Sequence, residues 1–325
     1  MNVTLKNIYA ARKAIEPWVQ RTPLIHSHYL SEQLNAAVYL KLETTHDIGS
    51  FKIRGATNRV LNLTEDERWK GIVAVSTGNH GRAVAYAAQK MGIHAVVCMS
   101  SLVKSNKVDA IKQLGAEVRI IGDSQDEAEE EARRLVAEEG MTLVHPFDDE
   151  YVMAGQGTIG IEIMENFPEV DMLVSGISGG GLISGIGTVM KAASVDIQVA
   201  GVSMERGPAM IKSLEAGHPI LVEEQNSLAD SLGGGIGLDN RFTFDAVKTV
   251  VDQTATVSEQ EIANAMRVLY RYDRIVAEGG AAVSVAALLE GKIKNARGNI
   301  VCVISGENVD MDVFQSIIDG TYSDF

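Results

Sequence analysis

Residues 172–182 read Met-Leu-Val-Ser-Gly-Ile-Ser-Gly-Gly-Gly-Leu (MLVSGISGGGL). The first six form a short run of strand length, the pattern of a strand buried on both faces of a parallel sheet. The triglycine behind it is a tight corner from strand to helix, where the free N–H groups of a helix start favour an anion. The same alternation extends on both sides. Residues 72–76 (IVAVS), 95–99 (AVVCM), 117–121 (EVRII) and 143–145 read as strands, with helical stretches at 82–91, 107–114 and 125–139 between them. Ser124 and Glu127 form a capping box for the last of these, Ala128, Ala132, Leu135 and Val136 supply its apolar face, and Gly140 ends it. On the far side, 198–204 (QVAGVSM), 247–252 (VKTVVD) and 299–305 (NIVCVIS) read as strands. A capped helix starts at 258–261, an alanine-rich helix covers 281–289, and a helix closes the chain. Strands alternating with helices predict an α/β protein with parallel-rich twisted sheets flanked by helices. With no long linker or repeat, residues 70–148 are expected to form a small lobe inserted between 1–69 and 149–325.

Composition removes several classes of function. The 325 residues carry a formal net charge of -14, which repels phosphate backbones, and 5% aromatic residues leave little for base stacking, so no nucleic acid is expected. No apolar run approaches the roughly 18 residues of a membrane span, and the opening MNVTLKNIYAARKAIEPW mixes both charge signs, so neither a membrane nor a secretory signal is expected. Cys98 and Cys302 each sit inside an apolar run and read as buried thiols of a cytoplasmic protein.

Four glycine-rich corners are placed to carry chemistry: Ser76–Gly81, Ser178–Leu182, Leu232–Gly237 and Ser305–Asn308. Any one alone reads as a βα turn; their number and interleaved polar residues point to a ligand at the carboxyl ends of the strands. Neither triglycine segment fits the G-x-G-x-x-G spacing, and no segment has the G-x-x-x-x-G-K-[ST] spacing. Gly176 to Gly180 does match G-x-S-x-G, which makes a serine hydrolase using Ser178 a rival, although only His218 follows it, with Asp196 the sole intervening aspartate. His26 with His28, and Glu43 with His46, are the nearest approaches to a metal set, read as ordinary surface or interface histidines; no catalytic zinc is expected. Lys52, beside Phe51 and opening the helical stretch 56–63, is by itself a plain solvated lysine. Together with a triglycine anion cradle it becomes a candidate to capture an aldehyde, because pyridoxal phosphate needs an amine, phosphate donors and a partner for its ring nitrogen.

At these residues the sequence resembles the fold-type II pyridoxal-phosphate enzymes, with the tryptophan-synthase β-like fold, and within them the serine/threonine dehydratase and serine racemase family. The carrying motifs are SFKIRGA (50–56), STGNHG (76–81), SGGGL (178–182) and SGEN (305–308), in the family's order over nearly the whole chain. The resemblance implies that Lys52, beside Phe51, holds the cofactor aldehyde and serves as base at the substrate Cα. It further implies that Asn79 bonds the ring hydroxyl, that Ser178, Gly179, Gly180, Gly181 and Leu182 bind the phosphate, and that Ser305 faces the ring nitrogen. Glu278 stands near the ring, and Ser76, Thr77 and His80 receive the substrate carboxylate. Thr77 occupies the place where racemases of the family carry a serine, so it is a second catalytic candidate. The family's divalent cation uses acids after the third strand of the large lobe: Glu205 and the Ala209 carbonyl match it, while Ile211 stands where a second acid is expected. The implied activity is β-elimination from a small-molecule β-hydroxy amino acid such as L-threonine or L-serine, by a homodimer or homotetramer with a mobile small lobe, with amino-acid racemisation as the alternative. The stretches 124–132, 201–210 and 228–244 resemble the hydroxyectoine-utilisation dehydratases, which adds hydroxyectoine breakdown as an expected setting.

Overall fold

The computed structural model describes residues 3–323 except Leu102 and Lys104. Its strands are β1 (Leu24–His26), β2 (Ala37–Leu42), β3 (Ile72–Val75), β4 (Ala95–Met99), β5 (Glu117–Ile120), β6 (Thr142–Leu143), β7 (Met172–Gly176), β8 (Gln198–Met204), β9 (Gln253–Val257) and β10 (Asn299–Ile304). Six build one sheet in the order β1-β2-β10-β7-β8-β9, parallel except for β1; the other four build a parallel sheet in the order β5-β4-β3-β6.

Successive strand residues point to opposite faces, so a strand buried on both sides is apolar throughout. In β10, Ile300, Cys302 and Ile304 enter one core while Val301 and Val303 enter the other. The smaller sheet divides the same way: Ile72, Ala74, Val97 and Met99 face one cluster, and Val73, Val96 and Cys98 the second. The first of these clusters also takes Ile48, Ile53, Ala56, Val60 and Leu63. The helix Lys52–Leu61 shares this cluster by packing against the helix Asn79–Met91, which lies on the small sheet, and it also lies against the long helix Glu150–Asn166. That long helix is buried on nearly every side. It approaches its neighbours at glycines: a Cβ on Gly155 would come within 2.6 Å of the Arg54 carbonyl, and one on Gly185 of the next helix within 2.4 Å of the Met153 carbonyl.

Several expectations need correction. Residues 247–250 do not begin a strand; they end the helix Thr243–Val250, and β9 follows at Gln253–Val257. Phe244, Val247 and Val250 recur at helical spacing and face inward, where Val250 meets the helix at Gly187, so packing overrides the β preference of the valines. The lysine helix starts at Lys52 and not at Ala56. Residues 232–237 are no strand-to-helix corner: Leu232 ends a short 3-10 turn, Asp230–Leu232, and 233–237 run as loop. Val136 is exposed, because the helix widens into a π turn over Leu135–Glu139 and rotates it off the buried face of Ala128, Ala132 and Leu135. Cys98 and Cys302 are buried free thiols. Among the described residues, no helix is long and apolar enough to cross a membrane.

Candidate active site

The end of β10 sets the position of Lys52. Residues 49–51 pair antiparallel with 305–307: the Phe51 amide donates to the Ser305 carbonyl at 3.0 Å, the Glu307 amide to the Gly49 carbonyl at 2.9 Å, and Ser50 bridges Gly306. Lys52 is then the first residue of its helix, one peptide from Ser305's partner. Its Nζ donates to the Pro146 carbonyl at 2.7 Å and lies 5.3 Å from the Phe51 ring centre. Ser305 is buried, and its hydroxyl enters no hydrogen bond among the described residues.

Burial pushes the Lys52 amine down to about 8, against the pull of Glu278. An unfolded lysine keeps its proton up to its ordinary value of 10.5, so between these two values the unfolded chain binds more protons. Stability of the cofactor-free protein should therefore rise with pH from about 8 toward 10.5 as the desolvated ammonium is relieved. The gain is at most about 3 kcal/mol, reduced by the part of the side chain that water reaches. Urea unfolding of Lys52→Met should lack this rise; an unchanged pH profile in the variant would refute it.

A one-way chain of hydrogen bonds fixes Asn79. Arg82 Nη1 donates to Asn308 Oδ1 at 2.6 Å, Asn308 Nδ2 donates to Asn79 Oδ1 at 2.6 Å, and Asn79 Nδ2 donates to both Glu278 oxygens at 2.9 and 3.0 Å. Because it starts at an obligatory donor and ends on a carboxylate, both amides have one consistent orientation. Burial raises the Glu278 carboxyl above its ordinary value, and the Asn79 hydrogen bond opposes that. Asn79 begins the helix Asn79–Met91, whose first intrahelical bond runs from Arg82 N to the Gly78 carbonyl at 3.3 Å. The amides of residues 79–81 precede it and remain available for an anion, beside Ser76 and Thr77. His80 Nε2 faces the Val144 carbonyl at 2.7 Å, so that nitrogen carries the proton. Burial, aided by Lys52, pushes the ring down to about 3. Nδ1 is left as an acceptor, so His80 would meet a carboxylate through its backbone N–H and not through its ring.

The glycine corner lies where β7 gives way to the helix Gly181–Ala193. Gly180 is in the left-handed region at φ 90°, where a side chain would be strained and would also meet Val247 at 2.7 Å. The first helical bond is Ser184 N to the Gly180 carbonyl at 3.0 Å, which leaves the earlier amides, through Leu182, as donors. Phe147 covers this corner: a Cβ on Gly179 would fall 2.2 Å from its ring. The sequence gives no role to the segment 145–148, yet each residue has one. His145 Nδ1 accepts the Asp148 amide at 2.8 Å, Pro146 holds Lys52, and Asp148 accepts the amides of Arg241, Phe242 and Thr243 at 2.7, 2.9 and 2.9 Å. The hydrolase triad does not assemble: His218 is exposed and bonded to the Ala216 carbonyl at 3.1 Å, with no hydrogen bond to Ser178.

Beneath the lysine helix lies a buried ionic cluster. Arg54 bonds Glu43 at 2.7 and 2.9 Å and Glu162 at 2.6 and 3.0 Å, and Lys41 bonds Glu162 at 2.6 Å. His46 joins Glu43 at 3.0 Å, so it is a core residue and not a surface histidine. The expected metal residues flank one loop: Glu205 follows β8 and Ala209 opens the helix Ala209–Ala216. The Glu205 side chain is half exposed and faces Lys292, and Ile211 is buried in the apolar core.

A family profile described as "Pyridoxal-phosphate dependent enzyme" matches residues 15–306. A Sinorhizobium fredii protein is 48% identical over 319 residues, 98% of this chain and 96% of the relative. The L-threonine ammonia-lyase of Thermotoga maritima is 42% identical, over 97% of this chain and 78% of that protein. The structure of maize serine racemase matches with a TM-score of 0.92 at 32% identity, over 98% of both chains. The chain belongs to the pyridoxal-phosphate dependent enzymes, and its fold is their fold type II. The donor set fits the cofactor: Lys52 offers an amine of lowered basicity, the Gly179–Leu182 amides suit a phosphate dianion, and Ser305 is an unengaged hydroxyl.

Proposed function

We propose that this enzyme eliminates water from a β-hydroxy amino acid, L-threonine or L-serine among its substrates, and releases a 2-oxo acid and ammonia. The observation that carries the reading is the neutral Ser305 hydroxyl at the end of β10, one hydrogen bond from the residue preceding Lys52. A hydroxyl opposite the ring nitrogen does not hold it protonated as an aspartate would, and a weaker electron sink favours expelling charge through a β-hydroxyl over storing it. Bound pyridoxal phosphate supplies the aldehyde that captures the substrate amine and the conjugated ring that draws electrons from Cα. Lys52 holds that aldehyde at rest and takes the Cα proton; the amides of residues 79–81 orient the carboxylate; the Gly179–Leu182 corner anchors the phosphate. The Cα–H and Cβ–O bonds break with loss of one water, and hydrolysis of the resulting enamine consumes one water and frees ammonia.

The names of relatives agree with this reading, L-threonine ammonia-lyase being one of them. Closure of the lobe 70–148 would exclude water during the reaction, and a cytoplasmic homo-oligomer acting in hydroxyectoine breakdown is the setting that the sequence resemblance supports. Racemisation is a second reading, favoured by the likeness to maize serine racemase and by a hydroxyl at Thr77, whose methyl group crowds the exchange. The test is a panel of β-hydroxy amino acids, including hydroxyectoine-derived ones, with no thiol added. Equal yields of 2-oxo acid and ammonia are expected; none from any member, or D-serine as the sole product from L-serine, would overturn the reading.

A further inference from the structure

The loop after β8 leads into a helix that underlies the glycine corner. Glu205 opens it, held by its amide to the Val257 carbonyl at 2.9 Å, and the loop feeds the helix Ala209–Ala216. Met210 of that helix packs beneath Gly180, where a Cβ would lie 2.9 Å from its methyl group. A cation that braces this loop braces the phosphate site. The sequence resemblance implies a divalent ion at this loop, and such an ion needs several hard oxygen ligands. The side chains of an acidic ligand set are missing: Ile211 stands where a second acid is expected, and the described residues contain no group of three or more His, Cys, Asp or Glu side chains placed to hold an ion.

An ammonium occupies the acidic spot. Lys292 Nζ donates to Glu261 Oε2 at 2.6 Å and to the Thr256 carbonyl at 3.0 Å, and stands 3.5 Å from Glu205 Oε1. Three oxygens from β9, the helix Glu259–Val268 and the loop after β8 thus surround one positive charge. Lys292 is itself fixed behind the helix Gly279–Leu289 by its amide to the Ala287 carbonyl at 2.9 Å. Glu261 is engaged twice, since it also accepts the Ser258 amide at 2.6 Å as a capping box. A divalent ion at Glu205 would meet this ammonium at close range and be repelled by it.

We infer that the Lys292 ammonium takes the place of the divalent cation that the sequence resemblance implies at this loop, and that this enzyme holds the loop beneath its phosphate corner without a bound metal. The holoenzyme should contain no stoichiometric divalent metal by elemental analysis. Its melting temperature and retained cofactor absorbance should be the same in EDTA and in excess Mg²⁺ or Mn²⁺. Lys292→Met should melt about 2 °C lower or more and lose cofactor faster on dialysis. One equivalent of metal in the wild type, removed by Glu205→Gln, would overturn the inference. So would a wild type that melts lower in EDTA, or a Lys292→Met protein unchanged in both readouts. If Lys292→Met does not fold, the metal content of the wild type and its melting in EDTA decide alone. None of these readouts uses turnover, so they are independent of which substrate the enzyme takes.

Discussion

Replacing Arg54 with alanine is expected to cost about 3–5 kcal/mol of stability. The guanidinium is almost fully buried and holds two buried carboxylates, Glu43 and Glu162, while Lys41 meets only the second. Two cations and two anions balance in the native cluster; without Arg54 one negative charge is left in the core uncompensated. Burial alone would raise the Glu43 carboxyl, yet Arg54 and His46 hold it well below the usual carboxylate range. Glu162 is likewise lowered, burial being outweighed by Arg54 and Lys41. Their folded values lie below their unfolded ones, so this stabilisation is complete above the unfolded carboxylate range and fades as pH falls through the folded values. The wild type should lose stability on acidification with a component that Arg54→Ala lacks. Urea unfolding at neutral and acid pH measures both effects; a neutral-pH loss under about 1 kcal/mol would show that the cluster is not the anchor of the lysine helix.

Lys52→Ala has the opposite profile. Turnover should fall by roughly 10³-fold or more, because one amine both captures the aldehyde and moves the Cα proton. The visible absorbance of the purified protein should vanish with it. Folding should survive, since among the described residues Lys52 Nζ makes a single hydrogen bond, to Pro146, and its desolvated ammonium is a liability in the empty protein. A variant that keeps its colour and its rate would remove Lys52 from the mechanism.

The glycine corners at 76–81 and 178–182 and the lysine are legible because their chemistry is local: Gly180 needs a positive φ, and a helix start needs free amides. What binds them is not local. Arg54 lies inside the SFKIRGA stretch, yet nothing in that stretch says that it is buried, because its partners Glu43 and Glu162 come from other elements. Asn308 was visible in SGEN, but its role needs Asn79 and Arg82, more than two hundred residues away in sequence. The helix Glu150–Asn166 left no amphipathic signal because it is buried nearly all round. Residues 247–252 read as strand because Val247, Val250 and Val251 outweigh in sequence the helical spacing that packing selects for 243–250.

Reduction of the purified protein with borohydride, followed by proteolysis and mass spectrometry, tests the central assignment most directly. The account predicts that the cofactor is fixed as a stable secondary amine on the peptide containing Lys52 and on no other. A cofactor adduct on a different lysine, or none in protein that retains its visible absorbance, would contradict it.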